Sequence, residues 1–415
     1  MNKRSKTIMI FAAAVLFTAA VSVFVTLWFI CPDNEFSLEE YVKYQEYKRL
    51  DDAGYILNSE EAAYLQALSL YYGNLLGLQD MIEKNFYKDT SGVDFQLGAA
   101  KGMVAQLDDP YSYFLSREEF GRLQESMSNE YVGIGVVVTP TEDGYITVVS
   151  PFKDSPAEKA GIRPLDRIIA VNGERLSGDQ LSRAVELIRG EAGTEVTVTF
   201  MRDDLEFDLT LMRETIKVET VYSEVFENEV GYIAISQFGS STGKEFASHL
   251  DELEKNSNVK GLIIDLRYNP GGELGALVDV ADRLLGEQVI ISLVNKQGEM
   301  EQYSSDEKNR YDKPLIVLVN EGSASASEAL TGAVKDTGSG TIIGVTTFGK
   351  GVAQSLIPLE GGFALNLTTA EYFTPGEINV NEKGIEPDII IENDPGSDED
   401  EQLDKAIEVM KGIID

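Results

Sequence analysis

The sequence predicts a multidomain α/β protein that begins with an N-terminal transmembrane helix. Three observations support this prediction: an uncharged apolar run near the N-terminus, a change to short strands and glycine turns at about residue 130, and alternating strands and helices from about residue 214. A length of 415 residues allows about two to four domains. The predicted divisions are 1–31, 32–129, 130–213, 214–392 and 393–415.

Residues 1–31 contain the predicted membrane anchor. A short basic tip precedes residues 7–30, which carry no charge and are long enough to cross a bilayer as a helix. A cleaved signal peptide is the alternative, because small residues cluster at 18–20, but the apolar run continues past them to Ile30. Basic residues on the short side predict a cytoplasmic N-terminus and a single-pass protein of the cell membrane, with its bulk outside the cytoplasm.

Residues 32–129 have the spacing of amphipathic helices. Ser37 and Asn58 each lie three residues before a glutamate, the pattern of a helix start, and a broad apolar face follows at 64–78. The C-terminal region 393–415 has an acidic linker followed by a short amphipathic helix. We expect this last helix to pack on the N-terminal helices, either within one chain or across a homodimer.

The composition argues against several classes of function. A formal net charge of −35 and a pI near 4.3 disfavour nucleic-acid binding, because the chain would repel phosphates. With one histidine and one cysteine, the chain has no metal-ligand cluster of the usual kind, and we expect no cofactor or metal. The glycine-rich run 239–244 is one residue short of a phosphate-binding loop, and Glu245 replaces the Ser or Thr that should follow its lysine.

Residues 214–392 show the alternation expected of a largely buried sheet with helices. The predicted strands include 230–235, 259–266, 289–294, 315–319 and 341–345.

The candidate nucleophiles lie where the strand at 315–319 gives way to a helix. A serine at such a junction lies near unpaired backbone N–H groups and the positive end of the helix dipole, which can stabilise an oxyanion. Ser323, Ser325 and Ser327 all occupy this junction. The same segment also fits a capping box, Ser325 with Glu328, that only starts a helix. The local sequence does not select one of the three serines.

Elimination points to a lysine as the base of a serine enzyme. The one histidine, His249, lies at the border of the apolar face of a predicted helix over 244–255, as an ordinary helix histidine would. Lys350 stands between two glycines and beside Phe348, which we expect to help exclude water. Burial lowers the pKa of a lysine, and a base near pH 7 to 8 requires a shift of about 2 to 3 units.

Three motifs resemble the carboxyl-terminal processing (tail-specific) proteases, the peptidase family S41. They are Ser-Ala-Ser-Ala-Ser-Glu at 323–328, Phe-Gly-Lys-Gly at 348–351 and Asp-Leu-Arg-Tyr-Asn-Pro-Gly-Gly at 265–272. The resemblance covers about residues 75–390 and implies an α/β serine-protease core. The Asp-Asp-Pro-Tyr-Ser segment at 108–112 also recurs in that family, and we interpret it as structural.

The resemblance assigns roles to five residues. The spacing from Ser325 to Lys350 matches the nucleophile-to-base spacing of the family, so it implies Ser325 as the nucleophile and Lys350 as the base. It implies that Gln354 forms a hydrogen bond to Lys350 and orients it. It also implies an oxyanion hole made by the backbone N–H groups of Gly271 and Ala326.

Residues 130–213 resemble a PDZ domain. The resemblance rests on Ser-Pro-Ala-x-x-Ala-Gly at 155–161 and Asp-x-Ile-x-x-Val-Asn-Gly at 166–173. The loop Gly133-Ile134-Gly135 would present its N–H groups to the terminal carboxylate of a peptide, and the strand that follows would pair with that peptide. A glycine turn without a ligand is the alternative.

These expectations combine into one function. The sequence predicts a membrane-anchored, extracytoplasmic serine endopeptidase that recognises the C-termini of polypeptide substrates through its PDZ domain and cleaves with a Ser–Lys dyad. The alternative is a non-catalytic peptide-binding scaffold, a PDZ domain on a protease-like fold.

Overall fold

The computed structural model describes residues 73–141, 143–306, 308, 310–393 and 399–414. The chain divides into two compact units, residues 1–99 and 100–415. In the first unit, helix α1 covers residues 73–85, and α2 (Phe95–Ala105) begins there and continues into the second. The predicted anchor at 7–30 lies outside the described residues, and no described helix has the length and apolar character needed to cross a bilayer.

The second unit begins with a strand and a well-capped helix. These are β1 (Tyr113–Leu115) and α3 (Arg117–Ser128). The Ser116 hydroxyl accepts the Glu119 N–H, and the Glu119 carboxylate accepts the Ser116 N–H, so a capping box fixes the start of α3. Next along the chain, β2 (Glu130–Gly133) pairs with β9 (Glu214–Lys217), so the two ends of the small β domain are joined.

The small β domain between those two strands is a twisted antiparallel sheet with two helices. Its strands pair in the order β3-β4-β5-β7-β8, with β6 added to β5. Val196, Val198 and Phe200 alternate along β7 and are fully buried, as one face of a half-buried strand requires. The elements are β3 (Val136–Pro140), β4 (Ile146–Pro151), α4 (Pro156–Lys159), β5 (Arg167–Val171), β6 (Glu174–Arg175), α5 (Leu181–Ile188), β7 (Glu195–Arg202) and β8 (Leu205–Met212).

The core of the second unit is a six-stranded sheet in the order β10-β11-β12-β15-β16-β19. All neighbouring pairs are parallel except β10 with β11. The elements of this layer are β10 (Val221–Phe226), β11 (Val230–Ile235), α6 (Thr242–Lys255), β12 (Gly261–Asp265), α7 (Leu274–Leu284), β15 (Leu315–Val319), α8 (Ala326–Asp336), β16 (Thr341–Gly344) and β19 (Ile389–Ile390).

Both faces of this sheet are buried, which explains why its strands read as continuous apolar runs. Leu262 and Ile264 of β12 pack in the same cluster as residues of α6, α7 and α8. Ile263, between them, packs with Ala406 and Met410 of helix α9 (Glu401–Ile414). The C-terminal helix therefore packs on the central sheet. The predicted helical residues 37–72, on which we expected it to pack, lie outside the described residues.

A second, antiparallel sheet carries the remaining strands. They are β13 (Val289–Asn295), β14 (Met300–Ser304), β17 (Val352–Pro358) and β18 (Ala364–Phe373), joined by β1. The prediction that placed residues 289–294 in the same series as the other core strands is therefore wrong. β13 forms a hairpin with β14 and pairs with β18, and only its first half is buried, so local apolarity did not reveal its sheet.

Candidate active site

The candidate nucleophile lies at the carboxyl end of the central sheet, between β15 and α8. Ser325 has φ 55° and ψ −114°, a backbone conformation that is strained for a residue with a side chain. It is the residue immediately before the first turn of α8. Tyr372, fully buried in β18, donates its hydroxyl to the Ser325 carbonyl oxygen at 3.2 Å.

The three serines of this junction have different roles in the structure. The Ser323 hydroxyl donates to the Leu266 carbonyl at 2.8 Å, and the Ser327 hydroxyl donates to the Asn269 carbonyl at 3.0 Å. Both serines are fully buried and hold the neighbouring 265–272 loop in place. Of the three, only Ser325 lines the cavity beside this junction. The contacts thus separate one candidate nucleophile from two structural serines, a distinction that the local sequence did not make.

The predicted oxyanion-hole residues lie beside Ser325. Gly271 has φ 95°, and a Cβ there would come within 2.8 Å of Ser325 Cβ and 2.9 Å of Ala326 N, so the close approach requires glycine. The Ala326 N–H has no hydrogen-bond acceptor among the described residues. The Gly271 N–H, in contrast, donates to Asn269 Oδ1 at 2.9 Å. A substrate oxyanion would have to replace that side-chain acceptor.

Glu328 joins the nucleophile segment to the lysine segment. Its carboxylate is fully buried and accepts four hydrogen bonds. One oxygen accepts the backbone N–H groups of Ser325 (2.9 Å) and Lys350 (2.8 Å). The other accepts the Thr347 hydroxyl and the Gly349 N–H, both at 2.6 Å. The local sequence predicted Glu328 only as a helix cap and gave no sign of this second role.

Lys350 follows a tight glycine loop that leads into β17. Gly349 has φ 91°, and a Cβ at Gly351 would lie 2.4 Å from Asn381 N, so both flanking glycines permit close packing. Burial lowers the pKa of the Lys350 ammonium, while the negative charges of Asp109 and Glu328 act in the opposite direction. The direction agrees with the requirement for a neutral base.

The residue that covers Lys350 is not the predicted one. Phe348 is 58 % exposed, so it is poorly placed to keep water away. The ring of Tyr111 lies over the Lys350 side chain, with 4.6 Å between the ring centroid and Nζ. Within the described part of the chain, Nζ makes no hydrogen bond or ion pair, and none joins it to Ser325.

Two models of known protein families match the two main domains of the chain. A model of the PDZ domain matches residues 147–202, and a model of peptidase family S41 matches residues 229–391. The carboxyl-terminal-processing protease of Synechocystis sp. is 36% identical over 329 residues, which are 76% of this chain and 77% of that protein. The carboxy-terminal-processing protease of Bartonella bacilliformis is 39% identical over 71% of this chain and 69% of that protein.

The chain belongs to the carboxy-terminal processing proteases of peptidase family S41. The predicted family and its PDZ domain are thereby confirmed. Two relatives from Bacillus subtilis, the carboxy-terminal processing proteases CtpA and CtpB, are 39% and 40% identical, and the chain spans 66% and 62% of their lengths. A solved structure, the photosystem II D1 C-terminal processing protease, is 29% identical over 86% of this chain and 94% of that one, with a TM-score of 0.47.

In this member of the family, the predicted site residues of the protease core line one cavity of about 1020 Å³. Ser325, Lys350, Gln354, Gly271 and Ala326 all line it. Apolar side chains from α7 and β13 form part of its wall: Leu274, Leu277, Ile291 and Leu293. The cavity therefore combines a hydroxyl, an amine and the free Ala326 N–H with an apolar surface, which suits a peptide with a hydrophobic side chain.

Gln354 lies in β17 and is directed to a different partner from the one expected. Its amide Nε2 donates to the Thr368 hydroxyl of β18 at 3.1 Å. The structure shows no hydrogen bond between Gln354 and Lys350 among the described residues. Gln354 still lines the same cavity as Lys350.

His249 lies outside the cavity. Its Nδ1 is 2.7 Å from the Ser223 hydroxyl, on the contact between α6 and β10. No part of this pair lines the cavity that holds Ser325. This placement matches the interpretation of His249 as an ordinary helix histidine.

The predicted carboxylate-binding loop lies between β2 and β3 of the PDZ domain. The Ile134 side chain is fully buried, so this residue can offer a ligand only its backbone. Gly135 has φ 77°, and its carbonyl accepts the Phe152 N–H and the Ser155 hydroxyl. The N–H groups of Ile134 and Gly135 have no acceptor among the described residues. The following strand, β3, lies at the edge of its sheet.

Proposed function

We propose that this protein is a membrane-anchored serine endopeptidase that acts outside the cytoplasm. It recognises the carboxyl ends of polypeptide substrates through its PDZ domain and cleaves them with Ser325 and Lys350. The observation that carries this proposal is the shared cavity, in which a half-buried serine and a lysine of lowered pKa are tied through their backbones to one carboxylate oxygen of Glu328. The names of the relatives, carboxy-terminal processing proteases, support the same class of substrate.

The chemistry is acyl transfer. Neutral Lys350 takes the proton from Ser325 Oγ as that oxygen attacks the carbonyl carbon of the scissile peptide bond. The carbonyl oxygen becomes an oxyanion that accepts the Ala326 N–H, joined by the Gly271 N–H once Asn269 releases it. The ammonium of Lys350 then gives its proton to the leaving amine. Lys350 then deprotonates a water whose oxygen attacks the acyl carbon, the bond from that carbon to Ser325 Oγ breaks, and the Lys350 ammonium returns the proton to Ser325 Oγ.

The PDZ domain supplies recognition by backbone groups. The two free N–H groups of Ile134 and Gly135 favour a free carboxylate, and the edge strand β3 can add one more strand from the substrate. The anchor rests on the uncharged residues 7–30 and the basic tip before them. Added protease should digest most of the chain in intact cells, and the mature protein should keep its N-terminus.

Mass-spectrometric mapping of cleavage products tests the catalytic part. A library of peptides with free carboxyl ends is incubated with the full-length chain in detergent, with Ser325→Ala and with Lys350→Ala. We expect products from the wild type and none above background from either variant. Peptide binding without products in the wild type would favour the alternative, a peptide-binding scaffold on a protease-like fold.

A further inference from the structure

The Asp-Asp-Pro-Tyr-Ser segment touches the candidate base. Tyr111 is half-buried, and its ring centroid lies 4.6 Å from Lys350 Nζ. Both residues line the cavity. Among the described residues the amine forms this cation–π contact but no hydrogen bond or ion pair. The segment, which we interpreted as structural from its sequence, therefore contributes a side chain to the site.

The turn that carries Tyr111 is held by its own side chains. The Asp109 carboxylate accepts the Tyr111 N–H at 3.1 Å and the Ser112 hydroxyl at 2.5 Å. The Ser112 N–H donates to the Asp109 carbonyl at 3.2 Å. An aspartate that accepts the N–H two residues later forms an Asx turn, which fixes the backbone direction.

The same turn is fastened to β18. The Asn366 side-chain amide donates to the Tyr111 carbonyl at 2.9 Å, and the Thr368 N–H donates to the Ser112 hydroxyl at 3.0 Å. Both backbone polar groups of Tyr111 therefore have partners. Gln354 reaches this assembly as well, because its amide donates to the Thr368 hydroxyl at 3.1 Å. The ring cannot leave Lys350 by a shift of the backbone without breaking these bonds.

We propose that Tyr111 is a positioning residue for Lys350. The Tyr111 ring covers the Lys350 amine, holds it at the cavity wall and keeps water away from it. This inference rests on the proposed Ser325–Lys350 dyad. It assigns a role to the ring alone, since the backbone of Tyr111 is already occupied by Asp109 and Asn366.

The Tyr111 ring has two opposite effects on the pKa of Lys350. The π face attracts the ammonium form, whereas exclusion of water favours the neutral amine. Burial is the largest influence on the Lys350 pKa and lowers it, and the charged groups acting on it, Asp109 and Glu328, raise it. Because Tyr111 is part of what buries the amine, we expect exclusion of water to dominate. Removing the ring should raise the pKa of Lys350, and removing the Asp109 charge should lower it.

The test compares Tyr111→Ala with Tyr111→Phe in the full-length chain. The pH dependence of kcat/KM is measured on a peptide that the wild type cleaves, together with the rate at which a fluorophosphonate labels Ser325. For Tyr111→Ala we expect the midpoint of the rise with pH to move up by about one unit, a roughly 10-fold loss of rate below that midpoint, with kcat affected more than KM. Tyr111→Phe should keep the wild-type midpoint.

Two further variants sharpen the test. Asp109→Asn keeps an oxygen for the Tyr111 N–H but removes the charge, so its midpoint should move down. Tyr222→Ala removes an exposed tyrosine of β10 outside the cavity and should leave the profile unchanged. If Tyr111→Ala does not fold, as judged by circular dichroism, Tyr111→Ser, which also leaves the amine uncovered, replaces it and must move the midpoint in the same direction.

The outcomes separate the two proposals. A folded ring-deficient variant with an unchanged midpoint overturns the role of Tyr111, even if its rate is lower at every pH, because a purely structural role would give that result. Labelling of Ser325 at the wild-type rate in Lys350→Ala instead overturns the dyad, whatever Tyr111 variants do.

Discussion

In the proposed function, the cavity of the protease core and the loop at 133–135 of the PDZ domain would bind polypeptide with different parts of the chain. In the cavity, the candidate chemistry belongs to the side chains of Ser325 and Lys350, held by the buried carboxylate of Glu328. In the loop, the free groups are the backbone N–H groups of Ile134 and Gly135. Substitution of a single side chain in the cavity should therefore lower the rate of cleavage strongly. In the loop, only substitutions that move the backbone should weaken recognition of the carboxyl end.

The largest effect is expected from Lys350. Lys350→Ala removes the base and should lower kcat by about 10²- to 10⁴-fold. Lys350→Arg should not restore activity, because arginine stays protonated at any accessible pH. Rates measured by peptide cleavage from pH 6 to 10 check both variants. For the wild type, the lowered pKa of Lys350 means that the neutral fraction, and so the rate, rises with pH to a plateau reached below the usual lysine range.

Glu328→Gln should have the next largest effect. The glutamine amide keeps only one accepting oxygen, so two of the four donors to Glu328 lose their acceptor, at about 1–3 kcal/mol each. We expect a lower melting temperature and a loss of kcat, since both the serine and the lysine segments would shift. Glu321→Gln is the matched control, because Glu321 is exposed in the same loop. Equal effects of the two substitutions would show that the buried carboxylate does not position the site.

In the loop, Gly135→Ala should change recognition more than chemistry. An added Cβ would lie 2.4 Å from Ser155 Cβ at a φ of 77°, so the loop must move. Wild type should cleave a peptide with a free carboxyl end faster than its amidated form, and Gly135→Ala should reduce that ratio. Gly173→Ala is the control, with φ 80° in the same domain but no atom within 4 Å of the new Cβ. A ratio of one in the wild type would contradict carboxylate capture.

The smallest effect is expected from His249→Ala. The histidine bonds to Ser223 away from the cavity, so its loss should cost no more than about 0.5–1.5 kcal/mol of stability and leave kcat/KM near the wild-type value. Chemical denaturation and peptide cleavage measure the two quantities. A folded but inactive variant would mean that the base has been assigned to the wrong residue.

The sequence predicted those parts of the site that depend on local pattern or on a family motif. The strand before Ser325 and the helix after it follow from apolar spacing, and the family spacing pointed to Lys350. The contacts that organise the cavity join segments far apart in the chain, so no local pattern contains them. Tyr111 on Lys350 is one such contact, and the Glu328 carboxylate between the serine and lysine segments is another.

Two further expectations concerned contacts that no local pattern shows. Phe348 is only two residues before Lys350, but the Gly349 between them has φ 91°, so the backbone turns there and the Phe348 ring is largely exposed. The C-terminal helix showed an apolar face without showing its partner. That partner is the central sheet, where a Cβ at Gly261 would lie 2.2 Å from Met410 Sδ, so glycine leaves room for the methionine.

Detection of the acyl-enzyme tests the central claim most directly. The full-length chain is mixed with a cleaved peptide, quenched in acid within the first turnover, and digested for mass spectrometry. The account predicts an acyl group on Ser325 in the wild type and in Tyr111→Phe, and none in Lys350→Ala. An acyl group on another residue, or acylation of Ser325 at the wild-type rate in Lys350→Ala, would contradict it.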